Sequence, residues 1–170
     1  MSNVPMSRSG DVRRYAFDPV ADRDLFDGVL SKRVVAFVLD AIIVLLLMIP
    51  AALVVFLLGI ITLGLGWFLY GGLFAIVAIG YVAFTLGGRN SATGGMRWAG
   101  IELTTADGGP SYPALAILHA LIFWFSCGLL TPLVLLVGLV TSRKQLLHDL
   151  ILGTLVVNSA ALVRRAARFA

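Results

Sequence analysis

A carboxylate inside an apolar run is the first candidate for chemistry in this chain. Asp40 lies within residues 34–61, and its neighbours on both sides are apolar. An ionisable group at the centre of a membrane helix costs roughly 2.5–3.5 kcal/mol on insertion scales, so it needs a partner. Arg33 precedes Asp40 by seven residues, about two helical turns, which puts both side chains on one face. The spacing predicts that the Arg33 guanidinium lies within reach of the Asp40 carboxylate.

Asp149, which follows His148, is the second carboxylate of this candidate site. If both carboxylates lie on the cytoplasmic side, Arg33 can contact either of them or both. Lys32, His148 and Arg97 are the residues expected to support the cluster. A membrane-embedded carboxylate beside an arginine can exchange protons or bind a cation. The alternative interpretation is a structural ion pair that fixes helix register, because a buried charge left without its partner is strongly destabilising.

Neither catalysis nor a bound cofactor or metal is predicted. The pair His148-Asp149 lacks a nucleophile or a metal partner at useful spacing, and His119 lies in an apolar run that is typical of a packed or interfacial histidine. Cys127 is the only cysteine, so no intramolecular disulfide and no CxxC motif exist. The glycine-rich residues 87–97 lack the GxxxxGK[ST] pattern of a phosphate-binding loop. We therefore expect a protein that is not an enzyme.

The composition is that of an integral membrane protein. Hydrophobic residues make up 59% of the 170 residues and charged residues 13%, against about 25% charged residues in soluble domains. The net charge is +4, and the basic residues flank apolar segments instead of forming one face. This arrangement predicts anionic lipid headgroups as the counter-charge and argues against nucleic acid as a partner.

Three apolar segments must position the charged residues. Residues 32–58 and 67–86 are each long enough to span a bilayer, which needs about 20 apolar residues. Residues 59–66 carry no charge and are predicted to form a short turn between the two spans. Because Lys32 and Arg33 stand at the start of the first helix, the positive-inside rule places the N-terminus in the cytoplasm.

The third apolar segment, residues 113–140, is interrupted by a glycine and a proline and leaves two topologies open. As a single helix it crosses the membrane once and sends the later basic residues outside, away from Arg33. As a re-entrant hairpin that turns near residues 126–128, it keeps every basic residue inside. We favour the hairpin, because it satisfies the positive-inside rule.

The polar remainder is predicted to fold on the cytoplasmic side. Residues 100–104 alternate like a short strand, and residues 154–157 form a second extended stretch, so we expect the two to pair. Residues 142–153 are predicted to form a short helix in which Ser142 and Gln145 make a capping box.

Composition also divides the chain into three parts. Residues 1–30 mix both signs of charge and are predicted to be a flexible cytoplasmic tail. Residues 31–158 form the membrane domain, and residues 159–170 form a basic tail that lies on lipid headgroups. The expected fold is an all-α integral membrane protein with two full transmembrane helices, a third hydrophobic segment and short extended segments on the cytoplasmic side.

Three motifs in this order resemble the RDD family of bacterial membrane proteins. Arg33, Asp40 and Asp149 look like the arginine and the two aspartates that name the family. Their contexts in this chain are Lys32-Arg33-x-x-Ala36-x-x-x-Asp40, Ser91-Ala92-Thr93-x-Gly95-Met96-Arg97-x-x-Gly100-Ile101 and Leu147-His148-Asp149-x-x-x-Gly153-Thr154-x-Val156-Val157. The resemblance covers about residues 28–158. The chain departs from the family at Met96-Arg97, where many members have a lysine after the glycine.

The resemblance implies an architecture and key residues, and it leaves two functions open. The molecular function of the family is largely unassigned, with transport of unknown ligands suggested and cation/proton antiport proposed for some members. Transport by a cluster of Arg33, Asp40 and Asp149 is the first hypothesis, and it would require a homo-oligomer because one chain has few helices. The second is a membrane anchor or assembly factor that binds another membrane protein, in which the same residues form a structural ion-pair network. The expected location is the bacterial inner membrane.

Overall fold

The computed structural model describes residues 17–18, 20 and 22–168, without the side chains of residues 127–136. Most of the described residues are helical, as expected, and the sheet found among them has two strands. In chain order the elements are α1 (Arg23–Phe26), α2 (Val29–Ile61), a 3-10 helix (Leu65–Gly72), α3 (Leu73–Thr85), α4 (Gly94–Ala99), β1 (Ile101–Thr105), α5 (Pro113–Val140), α6 (Leu147–Leu152), β2 (Thr154–Asn158) and α7 (Ser159–Ala167).

A tight turn joins α2 to the 3-10 helix. Gly64 has a φ of 100°, a conformation that glycine adopts without strain, and it reverses the chain here. Trp67 and Tyr70 then pack back on α2, where their side chains donate hydrogen bonds to backbone carbonyls at 3.3 and 2.8 Å. A Cβ at Gly59 would lie 1.8 Å from Trp67 Nε1, so only glycine leaves room for the indole ring. The two apolar segments therefore form a closely packed pair.

The apolar helices face outward. The stretches Arg23–Ile61 and Leu65–Thr85 are long and apolar enough to cross a membrane, and only 11% of the most apolar window of each is buried. A core helix of a soluble domain would be mostly buried. Large side chains such as Phe68 and Phe84 are more than four-fifths exposed. Surfaces of this kind are stable in contact with lipid tails.

The sheet lies against the first turns of α2. β1 and β2 pair in antiparallel register from Ile101↔Asn158 to Thr105↔Thr154, which confirms the pairing predicted from sequence. A hydrophobic core lies between the sheet, α2 and α5. Its buried residues are Val29, Ala36, Leu86, Ile101, Leu103, Ala116 and Val156. The sheet therefore packs against the start of α2 and the end of α3 and holds these two helix ends together.

Both ends of α5 lie close to α6 and the residue before it. Near its N-terminal end, His119 Nδ1 lies 3.8 Å from Asp149 Oδ1. Near its C-terminal end, a Cβ at Gly138 would lie 2.8 Å from Leu146 Cδ2, and the Leu146 N–H donates to Asp149 at 3.0 Å. A straight helix rises about 1.5 Å per residue and would place His119 and Gly138 about 28 Å apart, which these contacts do not allow. α5 is therefore sharply bent between them.

This path differs in one respect from the hairpin favoured from sequence. The hairpin was expected to be two short helices joined by a turn near residues 126–128, whereas Pro113–Val140 is helical throughout. The backbone at residues 126–128 is helical, so the predicted turn there is not present. Both ends of α5 nevertheless lie near α6.

α6 is shorter than the predicted helix. Residues 142–146 are not helical, because Lys144 has a φ of 53° and breaks the chain direction before Leu147. The predicted capping box of Ser142 and Gln145 is therefore wrong. The Asp149 carboxylate accepts the Leu146 N–H and so caps the first turn instead. The predicted end of the helix is correct, with Gly153 in the left-handed conformation.

Residues 17–18, 20 and 22–30 are folded, and the prediction of a flexible tail is wrong for them. They include α1 and pack on β2 and on α7, the helix formed by the basic C-terminal segment. Arg165 of α7 holds Asp22 at 3.1 Å. The rest of the predicted tail, residues 1–16, 19 and 21, lies outside the described residues. The buried residues of this cluster are Phe17, Leu25, Phe26, Leu155, Val157 and Ala161.

Candidate functional site

The structure brings Arg33 and Asp149 together. Arg33 Nη2 lies 2.6 Å from Asp149 Oδ2, and the Asp149 side chain is fully buried. Besides the Leu146 N–H, the Thr154 hydroxyl donates to the same carboxylate at 3.3 Å. The pair joins the first turns of α2 to α6, 116 residues later in the chain. A buried carboxylate of this kind is stable because it has both a cation and hydrogen-bond donors.

Two histidines lie beside the ion pair of Arg33 and Asp149. His119 reaches Asp149 from α5, and His148 Nε2 lies 3.6 Å from Asp149 Oδ1. The His119 and His148 rings meet edge to face at a centroid distance of 4.6 Å, and Phe123 packs on His148 from the next turn of α5. Both imidazoles and the carboxylate therefore share one buried cluster between α5 and α6.

The protonation of this cluster follows from burial and the charge of Arg33. Burial lowers the pKa of His148 to about 4, more than the Asp149 carboxylate opposes, so His148 is neutral near pH 7. Burial acts to raise the pKa of Asp149. The Arg33 guanidinium, with smaller contributions from the histidines and the Leu146 N–H, outweighs it and holds that pKa below the usual value. Asp149 is therefore the ionised partner of Arg33.

Asp40 has partners other than the one predicted. Its carboxylate accepts hydrogen bonds from the Tyr81 hydroxyl at 2.6 Å, the Thr93 hydroxyl at 2.5 Å and the Gly95 N–H at 2.7 Å. Within the described part of the chain, no basic side chain lies at ion-pair distance from it. The expected contact between Arg33 and Asp40 is therefore not formed, because Arg33 turns to Asp149.

The approach of α4 to α2 makes these hydrogen bonds to Asp40 geometrically feasible. Thr93 caps α4 by accepting the Met96 N–H at 3.1 Å, and this orients its hydroxyl hydrogen toward Asp40. A Cβ at Gly95 would lie 2.2 Å from the Ala36 carbonyl oxygen and 2.9 Å from Asp40 Cγ. Only glycine allows the backbone of α4 to come this close.

One cavity connects the two groups of polar residues. It has a volume of about 440 Å³ and lies between α2, α3 and α5, with α4 and the sheet closing one end. Arg33, His119 and His148 line it near the sheet, and Asp40 and Tyr81 line it further along α2. Most of the remaining wall is apolar. A small polar solute inside this cavity would have few places to bind besides these side chains.

The other predicted supporting residues lie elsewhere. Lys32 Nζ donates to Asn158 Oδ1 at 2.5 Å, so it ties α2 to the end of β2 and contacts neither aspartate. Arg97 lines a second, more polar cavity of about 640 Å³ together with Arg89. Of the three predicted supporting residues, only His148 lies in the cluster.

Sequence reasoning assigned no role in the site to three residues: Tyr81, Thr93, which stands in the second family motif, and His119, which was interpreted as a packed or interfacial histidine. No spacing rule connects them to Arg33 or Asp40, because each comes from a different element. The one signal was chemical. Two histidines are the whole histidine content of the chain, and both lie near apolar residues where an imidazole is uncommon.

The family resemblance inferred from the three motifs is confirmed. A model of the RDD family matches residues 28–153, most of the chain, and this range contains Arg33, Asp40 and Asp149. No curated protein and no solved structure matches the chain. The matched range begins at the turn before α2 and ends at the glycine after α6, so it includes all of the cavity apart from its wall at Val156. The chain therefore belongs to the RDD family, whose members are membrane proteins.

Proposed function

We propose that this protein transports a small cation across the bacterial cytoplasmic membrane in exchange for a proton, with Asp40 as the binding carboxylate. The observation that carries the proposal is the environment of Asp40. It lies in an apolar, outward-facing helix, lines a cavity and has no cationic partner among the described residues. Ionisable residues at such positions mark ion and proton pathways in membrane proteins.

The hydrogen bonds of Asp40 leave room for a ligand. An ionised carboxylate offers about four acceptor positions, and Tyr81, Thr93 and Gly95 occupy three of them. The remaining lone pair can take either a proton or a small cation, which is the chemistry of exchange. Oxygen atoms of the two hydroxyl groups are hard ligands that suit such a cation.

An assembly of several chains fits this function better than a single copy. Among the described residues, α2, α3 and part of α5 form the side walls of the cavity, while α4 and the sheet close one end, and most of the apolar surface of the long helices is exposed. A second copy would complete the enclosure of a pathway through the bilayer. We therefore propose a homo-oligomer embedded in the lipid bilayer.

A second candidate function is a membrane anchor or assembly factor for another membrane protein. It is favoured by the structural use of the same charged residues. Arg33 and Asp149 join α2 to α6, and Asp40 joins α2 to α4, so the network stabilises the fold whether or not anything passes through it. In transport, the Asp40 carboxylate must exchange a proton for a cation. In an anchor or assembly factor, it needs only to accept the hydrogen bonds that hold α4 to α2.

Replacing Asp40 by asparagine separates the two functions. The amide oxygen keeps acceptor capacity but cannot carry the negative charge. We expect purified protein in vesicles to drive proton movement when a Na⁺ or K⁺ gradient is imposed, as recorded by an internal pH-sensitive dye. In Asp40→Asn the rate should fall to that of vesicles without protein.

The control for this experiment is Asp107→Asn, which removes a carboxylate from the turn after β1, away from the cavity. It should keep the wild-type rate. Wild-type protein that moves no protons under either gradient would refute transport. A normal rate in Asp40→Asn would leave transport standing and remove Asp40 from it.

We also propose that both termini and the sheet face the cytoplasm. Basic residues lie in the first turns of α2, after α3 and after α5, whereas residues 62–64 at the opposite end carry no charge. Single cysteines at Ser142 and Ser159 in a Cys127→Ser background should react with a membrane-impermeant maleimide only after the inner face is opened. Labelling of either position in intact cells would contradict this orientation.

A further inference from the structure

The cluster of His119, His148 and Asp149 has the composition of a metal site. The three candidate ligand atoms, two imidazole nitrogens and one carboxylate oxygen, all lie within 4.8 Å of one another. Tetrahedral Zn²⁺ with bonds of about 2.0–2.1 Å holds its ligand atoms about 3.4 Å apart. The distances of 3.8 and 3.6 Å from Asp149 Oδ1 to the two histidines need to shorten by a few tenths of an ångström. The widest separation in the cluster, up to 4.8 Å, must shorten by about 1.4 Å through rotation of the imidazole rings.

An unsatisfied nitrogen points to a ligand at this place. His119 Nδ1 is buried and has no hydrogen-bond partner among the described residues, although it faces the Asp149 carboxylate. Buried polar atoms are almost always paired, so this orphan atom calls for an explanation. A bound metal ion supplies one, because the neutral imidazole nitrogen would then donate its lone pair.

We propose that His119, His148 and Asp149 bind one divalent transition-metal ion, and that Zn²⁺ is the ion whose ligand preference matches best. Two imidazoles and a carboxylate suit Zn²⁺ and related ions, whereas Mg²⁺ and Ca²⁺ prefer all-oxygen sites. His119 and His148 both line the cavity, so the fourth coordination position opens toward it. The site is separate from Asp40 and does not depend on transport.

Arg33 sets the strength of this site. It pairs with Asp149 Oδ2. Oδ1, the oxygen nearest both histidines, accepts the Thr154 hydroxyl at 3.3 Å and keeps its second lone pair for the metal. The guanidinium orients the carboxylate as an outer-shell partner does in known metal sites. Its positive charge also opposes the metal, so we infer a reversible site whose ion can be removed by a chelator.

Cobalt binding tests the proposal, since Co²⁺ replaces Zn²⁺ and absorbs visible light. The full chain is purified in detergent through a tag without histidine and in a Cys127→Ser background, which removes its only thiol. We expect one Co²⁺ per chain, a visible d–d spectrum that Zn²⁺ abolishes, and a melting temperature that rises with Zn²⁺ and falls again with chelator.

Two variants and one control locate the ion. His119→Phe and His148→Phe keep an aromatic ring for packing, and each should weaken Co²⁺ binding by more than about 10-fold. Phe74→Leu changes the apolar wall of the same cavity, away from both polar groups, and should bind Co²⁺ as the parent does. Absence of Co²⁺ binding by the parent, or unchanged binding by either histidine variant, would overturn the proposal.

A measurement on the unmutated chain guards against variants that fail to fold. The chain has two histidines, both in the proposed site, so histidine modification reports on nothing else. Zn²⁺ should slow the reaction of His119 and His148 with diethylpyrocarbonate, as followed by mass spectrometry. Equal rates with and without Zn²⁺ would show that no metal occupies the cluster.

Discussion

Arg33→Met is expected to destabilise the protein by about 3–5 kcal/mol, the usual cost of removing one partner from a buried ion pair. Methionine fills much of the volume of the arginine stem but leaves the fully buried Asp149 carboxylate without its cation. The remaining donors at Leu146 and Thr154 are neutral and cannot compensate a whole charge. Thermal unfolding of the purified variant in detergent, followed by circular dichroism, measures the loss.

The matched control is Arg89→Met, which makes the same change at an exposed arginine. It should alter the melting temperature little, because an exposed arginine is solvated in both states. The double variant Arg33→Met with Asp149→Leu should recover much of the lost stability, since a well-packed apolar pair often replaces a buried ion pair without cost. A double variant no more stable than Arg33→Met alone would show that the pair is not the reason for the loss.

Gly95→Val is expected to destabilise the protein by about 3 kcal/mol or more, as overpacking is added to the loss of a charged hydrogen bond. The new Cβ would collide with the Ala36 carbonyl oxygen, and a backbone atom cannot rotate away. α4 must then move off α2, which removes the Gly95 N–H from Asp40 and disturbs the adjacent Thr93 hydroxyl. We expect little monodisperse protein after purification.

Gly80→Val provides the comparison for this substitution. Gly80 also lies inside a helix, and a Cβ there would meet nothing within 4 Å. The variant should be purified in amounts close to wild type, because valine has a higher helix propensity than glycine and the added side chain meets no neighbour. Equal behaviour of the two variants would mean that α4 does not depend on close approach to α2.

The sequence was sufficient for those features that depend on local pattern. Apolar run length predicted α2 and α3, and strand alternation predicted the pairing of β1 with β2. These inferences succeeded because each depends on residues close in sequence or on a single physical constraint.

The partners of Asp40 could not be predicted in the same way. Helical periodicity suggested Arg33, since both residues share one face of α2. Periodicity cannot report that Arg33 has a better partner on α6, or that α4 forms within the glycine-rich residues 87–97 and brings Thr93 and Gly95 to the carboxylate. Such contacts depend on tertiary packing over more than 50 residues of separation.

The folded segment before α2 was missed for a similar reason. Its charged residues and prolines resemble those of a disordered tail, and the few apolar residues that matter, Phe17, Leu25 and Phe26, show no periodic pattern. Their burial depends on β2 and α7, which are made from the last part of the chain. A prediction of disorder from composition therefore fails when a short polar segment contributes a few apolar side chains to a core formed by residues far away in sequence.

The pairing of Arg33 with Asp149 has a consequence for how the protein is made. Asp149 leaves the ribosome 116 residues after Arg33, which at roughly 5–20 residues per second is a delay on the order of ten seconds. During that interval the first two spans are already available for insertion, while β1 lacks its neighbouring strand and Arg33 lacks its anion. Nascent chains halted before α6 should therefore be the form most exposed to quality-control proteases, because α6 and β2 supply the partners that Arg33 and β1 still lack.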